Sequence, residues 1–98
     1  MTTRIQILGK GWCPHTKAAW KLPNTKDYEY EQVDCAQADN AKTCELAQGY
    51  PTFVVKGKRC TAGMYPQGTL DKKFEACVAG KYPEEKNNGT MPMCNGAV

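Results

Sequence analysis

The alternation of hydrophobic and polar residues along the chain predicts four β-strands. Residues 4–8 alternate before Gly9, and residues 28–34 alternate with tyrosines at two positions. Such alternation is typical of strands that are buried on one face. Two further strands, at 59–62 and at the apolar run 52–55, flank a Lys-Gly-Lys turn, and this pattern predicts a β-hairpin.

Three other segments have the composition or spacing of helices. The first spans 13–22, and the second spans 41–48 with Asp39 or Asn40 as its N-terminal cap. The third carries an apolar stripe at positions i, i+4, i+7 and i+8. That stripe consists of Leu70, Phe74, Cys77 and Val78, and Gly80 ends the helix.

The order of these elements is β-α-β-α-β-β-α, which predicts an α/β fold. A β-α-β unit requires a right-handed crossover between parallel strands, and the hairpin adds antiparallel strands to the same sheet. We therefore expect a four-stranded mixed β-sheet flanked by three helices, with helices on both faces. Residues 1–80 form this domain, whereas residues 81–98 lack periodicity and are predicted to be a flexible tail.

Composition limits the classes of function. The 98 residues suffice for one small domain, and the formal net charge is +3 with no basic run longer than two residues. Because the charge is scattered, the chain is not expected to bind nucleic acid. No segment has the ~20 consecutive apolar residues that span a membrane. Without a signal peptide the chain is expected to be a cytoplasmic monomer, although six cysteines are typical of oxidising compartments.

Residues 11–16, with the sequence Gly-Trp-Cys-Pro-His-Thr, lie where the first strand passes into the first helix. Pro14 suits the first helical position, and the partial positive charge of a helix N-terminus favours a thiolate at Cys13. The pKa of a free thiol is about 8.5, and at such positions it can fall to roughly 3.5–7.5. The segment therefore predicts a nucleophilic sulfur, and the alternative is a turn with a packed, inert thiol.

The motif at 12–15, Trp-Cys-Pro-His, and the motif at 49–53, Gly-Tyr-Pro-Thr-Phe, resemble the thioredoxin-like superfamily over residues 3–80. The chain is similar to the thioredoxin-like domain of vitamin K epoxide reductase homologues in these motifs, in Val-Asp-Cys at 33–35 and in Cys44. It resembles glutaredoxins in length and in Lys10, which in that family helps to hold the glutathione carboxylate.

This resemblance implies roles for residues on both sides of a substrate groove. Pro51 corresponds to the cis-proline that faces Cys13, and it turns the Tyr50 backbone towards an extended substrate that pairs as an added strand. Trp12, Tyr50 and Thr52 are expected to contact that substrate, as is Lys10. The alternatives are core aromatics for Trp12 and Tyr50, and an ordinary exposed loop residue for Lys10.

The chain departs from the superfamily at Thr16, where most members carry a second cysteine. Threonine cannot resolve a mixed disulfide, but its hydroxyl can donate a hydrogen bond to the Cys13 thiolate and lower its pKa. His15 as an imidazolium would also favour the thiolate, unless it is a solvent-facing helix residue. Resolution then requires a thiol from glutathione, from another protein, or from a distant cysteine of this chain.

The remaining cysteines are expected to be mainly structural. The resemblance implies a bridge between Cys35 and Cys44, with a relay to the active site as the alternative. Cys77, on the apolar stripe, is expected to be a buried thiol. It can also pair with Cys60 or with Cys94, and the sequence does not choose between them. The cysteines lack the spacing of a zinc site, so no zinc ion is expected. Single-thiol glutaredoxins that bind an iron–sulfur cluster carry a different motif, so no such cluster is expected either.

These features predict a thiol–disulfide oxidoreductase that uses the single active-site thiol of Cys13. Its substrates would be protein disulfides or glutathionylated cysteines, with glutathione as a co-substrate and with Pro14, His15 and Thr16 beside the nucleophile. The alternative is a redox-inactive module that docks a partner through the groove at Pro51.

Overall fold

A computed structural model of the protein describes residues 2–47, 49–82 and 94. In chain order the strands and helices are β1 (Thr3–Gly9), α1 (Pro14–Trp20), β2 (Tyr28–Asp34), β3 (Thr52–Val55), β4 (Lys58–Ala62) and α2 (Gln67–Val78). Two short 3₁₀ turns, Ala38–Asn40 and Thr43–Leu46, lie between β2 and β3.

The four strands form one mixed sheet in the order β2-β1-β3-β4, which confirms the predicted four-stranded α/β architecture. β1 is parallel to β2 and antiparallel to β3, so that Ile5 lies opposite both Tyr30 and Val55. β4 is antiparallel to β3 across a two-residue turn. Lys56 and Gly57 in that turn both have positive φ, at 54° and 78°, which is the conformation of the type I′ turns that match the twist of a hairpin.

Both α-helices pack on one face of the sheet. Ile5 and Ile7 of β1 meet Phe53 of β3 in a buried cluster, to which α1 contributes Ala19 and α2 contributes Phe74, among others. The Phe74 ring lies 5.2 Å from that of Phe53, centroid to centroid. α1 is further attached to the sheet by Trp20, whose Nε1 donates a hydrogen bond to the Ile7 carbonyl at 3.1 Å.

The opposite face is covered without an α-helix. Leu8, Val33 and Val54 form a second buried cluster, against which Leu46 and Ala47 of the 3₁₀ region pack. The expectations of three helices and of helices on both faces are therefore wrong for the described residues, which contain two α-helices. The expected helix at 41–48 is a 3₁₀ turn at Thr43–Leu46, and its last position, Gln48, lies outside the described residues.

The physical reason for this difference is that tertiary contacts decide the conformation of so short a segment. A helix of eight residues is marginal by itself, so tertiary constraints decide its conformation. Cys44 is bonded to Cys35 only nine positions earlier, with their Cα atoms 5.8 Å apart. Leu46 and Ala47 must also reach the second cluster, and the tighter 3₁₀ turn satisfies both requirements.

Two residues of the expected flexible tail are fixed to the domain. The Tyr82 hydroxyl donates a hydrogen bond to the Val55 carbonyl at 2.9 Å, and the Lys58 Nζ lies 5.4 Å from the centre of its ring. Cys94 is held by a disulfide. These contacts tie both positions to the domain, whereas 83–93 and 95–98 of the predicted tail lie outside the described residues. None of the helices in the described ranges has the length and apolar character required to cross a membrane.

Candidate functional site

Cys13 lies at the turn between β1 and α1. It is the N-cap of α1; its N–H donates to the Lys10 carbonyl at 3.0 Å, and its carbonyl accepts from the Lys17 N–H at 3.0 Å. The residue is fully buried, and its Sγ lies 3.5 Å from the Tyr50 carbonyl oxygen. The β1–α1 turn and the loop before β3 therefore meet at this sulfur.

Cys13 is bonded to Cys94, across 81 positions of the chain, with their Cα atoms 6.1 Å apart. The expectation of a free, accessible thiol at Cys13 is therefore wrong for this state of the protein. The sequence allowed Cys77 to pair with either Cys60 or Cys94, and in the structure it is bonded to Cys60. The site accordingly contains a disulfide, in which neither sulfur is a nucleophile until the bond is reduced.

The main chain of Cys94 pairs with that of Tyr50 as an isolated antiparallel β-bridge. The Tyr50 N–H donates to the Cys94 carbonyl at 2.9 Å, and the Cys94 N–H donates to the Tyr50 carbonyl at 2.7 Å. Residue 94 thus sits beside the loop before β3 as a one-residue added strand. This is how an extended peptide adds to an exposed strand edge.

The loop that carries Tyr50 is firmly held on its other side. The Tyr50–Pro51 peptide bond is cis, as the resemblance implies. Pro51 is buried, and its carbonyl accepts a hydrogen bond from the Gly63 N–H at 2.8 Å. Thr52 was expected to contact substrate, but it is fully buried, and its Oγ1 donates to the Gly49 carbonyl at 2.6 Å. Thr52 therefore positions the loop instead of lining an open groove.

Three side chains group at the rim of the disulfide. The Trp12 ring meets the Tyr50 ring edge-on, with centroids 6.4 Å apart and planes at 84°. The Lys10 Nζ lies 5.7 Å from the centre of the same ring, within the range of a cation–π interaction. Tyr50 is buried, whereas Trp12 remains half exposed. The structure thus brings together Lys10, Trp12 and Tyr50, which the sequence assigned to substrate contact.

The residues that follow Cys13 divide between solvent and core. Pro14 begins α1 and is exposed, as is His15. Thr16 is fully buried, and its Oγ1 has no hydrogen-bond partner among the residues that the structure describes. The hydrogen bond that was expected from this hydroxyl to the Cys13 sulfur is thus not formed in the oxidised state. Thr16 packs so closely on Gly9 that no Cβ fits at position 9, which lets α1 approach β1.

The other four cysteines form two bridges that staple the fold. Cys35 pairs with Cys44 and joins the end of β2 to the 3₁₀ region, which is the pairing that the resemblance implied. Cys60 pairs with Cys77 and joins β4 to α2. This is one of the two pairings that the sequence left open, and the expectation of a buried free thiol at Cys77 is therefore wrong. No cysteine of the chain is free.

Sequence reasoning missed Cys94 as a member of the site. The signal that could have found it is parity, because six cysteines make three pairs. Once Cys35 is assigned to Cys44 and Cys60 to Cys77, the partner of Cys13 is fixed by elimination.

Among the described residues, no group of three or more histidine, cysteine or carboxylate side chains could hold a metal ion. Comparison of the chain with models of known protein families, with curated proteins and with solved structures finds no match. The functional argument therefore depends on the geometry around Cys13.

Proposed function

We propose that this protein is a thioredoxin-like thiol–disulfide oxidoreductase whose reactive sulfur is that of Cys13. In the reduced state the Cys13 thiolate attacks a substrate disulfide or a glutathionylated cysteine. A mixed disulfide forms at Cys13, and the other sulfur of the substrate leaves as a thiolate.

The topology supports this proposal. The strand order β2-β1-β3-β4, with one parallel and two antiparallel pairs, is the order expected of a thioredoxin-like sheet. Cys13 follows β1 directly and faces the loop that contains Pro51, so two distant segments of the sequence meet where the superfamily resemblance requires it. The 3₁₀ region between β2 and β3 takes the place of the expected middle helix.

The observation that carries the proposal is the way in which Cys94 is held. A cysteine in extended conformation is bonded to Cys13 while two main-chain hydrogen bonds join it to Tyr50. This arrangement is what a mixed disulfide with an extended peptide substrate would require. A bond that served only to tie two segments together has no need of the added main-chain pairing.

The full burial of Cys13 favours a second candidate, which is a redox-inactive binding module. In that case the Cys13–Cys94 bond is a permanent staple like the other two bridges, and partners dock on the half-exposed Trp12. The two candidates differ in whether Cys13 undergoes exchange while the domain stays folded.

The test is turnover of a glutathionylated peptide in the presence of glutathione, followed through the oxidised glutathione that is released. We expect the wild-type chain to accelerate the reaction. Cys13→Ser should lose at least about 100-fold, because the exchange requires a thiolate nucleophile. A double variant, Cys35→Ser with Cys44→Ser, is the matched control, because it removes another bridge but leaves Cys13 in place. Equal rates for wild type and Cys13→Ser, with circular dichroism showing both folded, would support the binding module instead.

A further inference from the structure

We infer that Cys94 is the resolving cysteine of the Cys13 site, and that it acts by occupying the strand edge at Tyr50 that a substrate peptide also uses. This inference rests on the proposed function and adds to it the residue that completes the reaction. It concerns Cys94 because Thr16, three positions after Cys13, has no thiol.

The other cysteines are excluded by their partners and surroundings. Cys60 and Cys77 are fully buried in the cluster between the sheet and the helices and are bonded to each other. Cys35 and Cys44 are likewise bonded to each other. Cys94 is the cysteine that is bonded to Cys13, and it is only partly buried.

The pairing at Tyr50 depends on the main chain and therefore does not specify a side chain. Both hydrogen bonds to Cys94 involve its N–H and carbonyl, which any residue except proline offers equally well. A cysteine of another protein can accordingly take the same place, provided that its segment is extended. Substrate and residue 94 cannot bind there together, because Tyr50 has one N–H to donate.

Departure of residue 94 frees both main-chain groups of Tyr50 for a new partner. With residue 94 in place, the Tyr50 N–H and carbonyl are both paired with it, and Tyr50 is 7% exposed. The neighbouring Pro51 has no N–H, and its carbonyl is already bonded to Gly63. Tyr50 is therefore the position of this loop at which an incoming strand is recognised.

The chemical steps balance without any further cofactor. The reduced Cys13 thiolate attacks a substrate disulfide, forms a mixed disulfide and releases the first substrate thiolate. Cys94, as a thiolate, then attacks the Cys13 Sγ; the Cys13–Cys94 bond forms and the second substrate thiolate leaves. The substrate has gained two electrons and the protein has lost two. An external thiol such as glutathione, used in two equivalents, returns the protein to its dithiol.

Tethering to the same chain allows Cys94 to compete with external thiols. It follows Tyr82, which is packed on the core, by twelve positions. A second group tethered to this extent has an effective concentration on the order of millimolar. Resolution by Cys94 therefore competes with external thiols at comparable concentration.

The experiment uses the reduced full-length chain and, as substrate, a disulfide-linked dimer of a short peptide with one cysteine. We expect the wild type to release both peptide thiols and to finish with a Cys13–Cys94 bond, identified by mass spectrometry after an acid quench. Cys94→Ser should release one peptide and retain the other on Cys13, with a lifetime at least about tenfold longer. The variant that lacks Cys35 and Cys44 should resolve like the wild type.

Two results overturn the inference while leaving the proposed function intact. One is release of the second peptide from Cys94→Ser at the wild-type rate. The other is a wild-type product in which Cys13 is bonded to a residue other than Cys94, and this readout does not depend on the folding of any variant. If the wild type forms no peptide adduct and behaves like Cys13→Ser, the proposed function itself fails.

The shared edge has its own measurement, which is amide hydrogen exchange at Tyr50. We expect this N–H to be protected in the oxidised wild type and in the peptide adduct of Cys94→Ser. In reduced Cys94→Ser it should exchange faster, because no covalent bond to Cys13 holds residue 94 at this edge. An adduct in which the Tyr50 amide exchanges as fast as in the free variant would show that peptide and tail do not use the same edge.

Discussion

Replacement of Cys94 by serine should lower the free energy of unfolding by an amount set by the loop that its disulfide closes. The Cys13–Cys94 bond spans 81 positions, for which the loss of chain entropy in the unfolded state corresponds to about 4.5 kcal/mol. The two other bridges shorten that loop, because they lie inside it and span 9 and 17 positions. With those segments removed, the estimate is about 4 kcal/mol, a large share of the ~5–15 kcal/mol of an ordinary domain.

The effect of the two single substitutions should not be additive. Cys13→Ser and Cys94→Ser each remove the same bond. The free energy of unfolding of the double variant should therefore equal that of the less stable single variant, to within about 1 kcal/mol. Cys13→Ser should be the less stable of the two single variants, because it places a hydroxyl at a fully buried position. Loss of the Cys35–Cys44 bridge, which closes the shortest loop, should cost only about 2.5 kcal/mol.

The assay is urea unfolding of the oxidised proteins, followed by far-ultraviolet circular dichroism below pH 6, where thiol exchange is slow. Because the bond acts on the unfolded chain, its removal should also raise the m-value, as the unfolded state expands and exposes more surface. A loss of less than about 1 kcal/mol for Cys94→Ser, with an unchanged m-value, would refute the reasoning. So would losses for Cys13→Ser and Cys94→Ser that add in the double variant.

Two other predictions concern the packing of α1 and the ionisation of β2. Gly9→Ala should destabilise the fold by about 1–3 kcal/mol in urea unfolding, because the added Cβ meets the buried Thr16 side chain. Gly11→Ala is the control and should be nearly neutral, because there is open space at that position. Equal effects of the two substitutions would contradict this packing. Burial raises the pKa of Tyr28, and the negative charge of Asp71 raises it further. The stabilisation that the neutral Tyr28 side chain contributes is therefore fully present below the ordinary pKa of 10.0 and is lost as pH rises through the raised pKa. Ultraviolet titration should show that Tyr28 ionises at a higher pH than a free tyrosine, and Asp71→Asn should move its pKa back towards the ordinary value.

The strands could be predicted from the sequence because their pattern is local. Alternation over 28–34 and the apolar run Thr52–Val55, together with the turn at Lys56 and Gly57, define β2 and the hairpin without reference to the rest of the chain. The helix over 41–48 could not be predicted reliably, because the disulfide at Cys44 and the contacts of Leu46 outweigh the weak helical preference of so short a segment.

The parts of the candidate site that depend on local sequence could also be predicted. Cys13 at a strand-to-helix turn and Pro51 before a later strand are visible in the sequence, and the family resemblance relates them across the fold. The burial of Thr52 was not predicted, because whether a residue at a strand end faces the core or the solvent depends on how the loop is held.

By itself, the sequence determined the strands, the hairpin, the two α-helices and the cysteine that precedes α1, since each depends on neighbouring residues and their spacing. The tertiary structure alone decided the partner of that cysteine. Cys94 lies 81 positions away, in a segment without periodicity, and only the main-chain pairing with Tyr50 brings its sulfur to Cys13. A hydrogen bond between backbones carries no side-chain signature, so in the sequence only the even number of cysteines indicated that Cys13 has a partner.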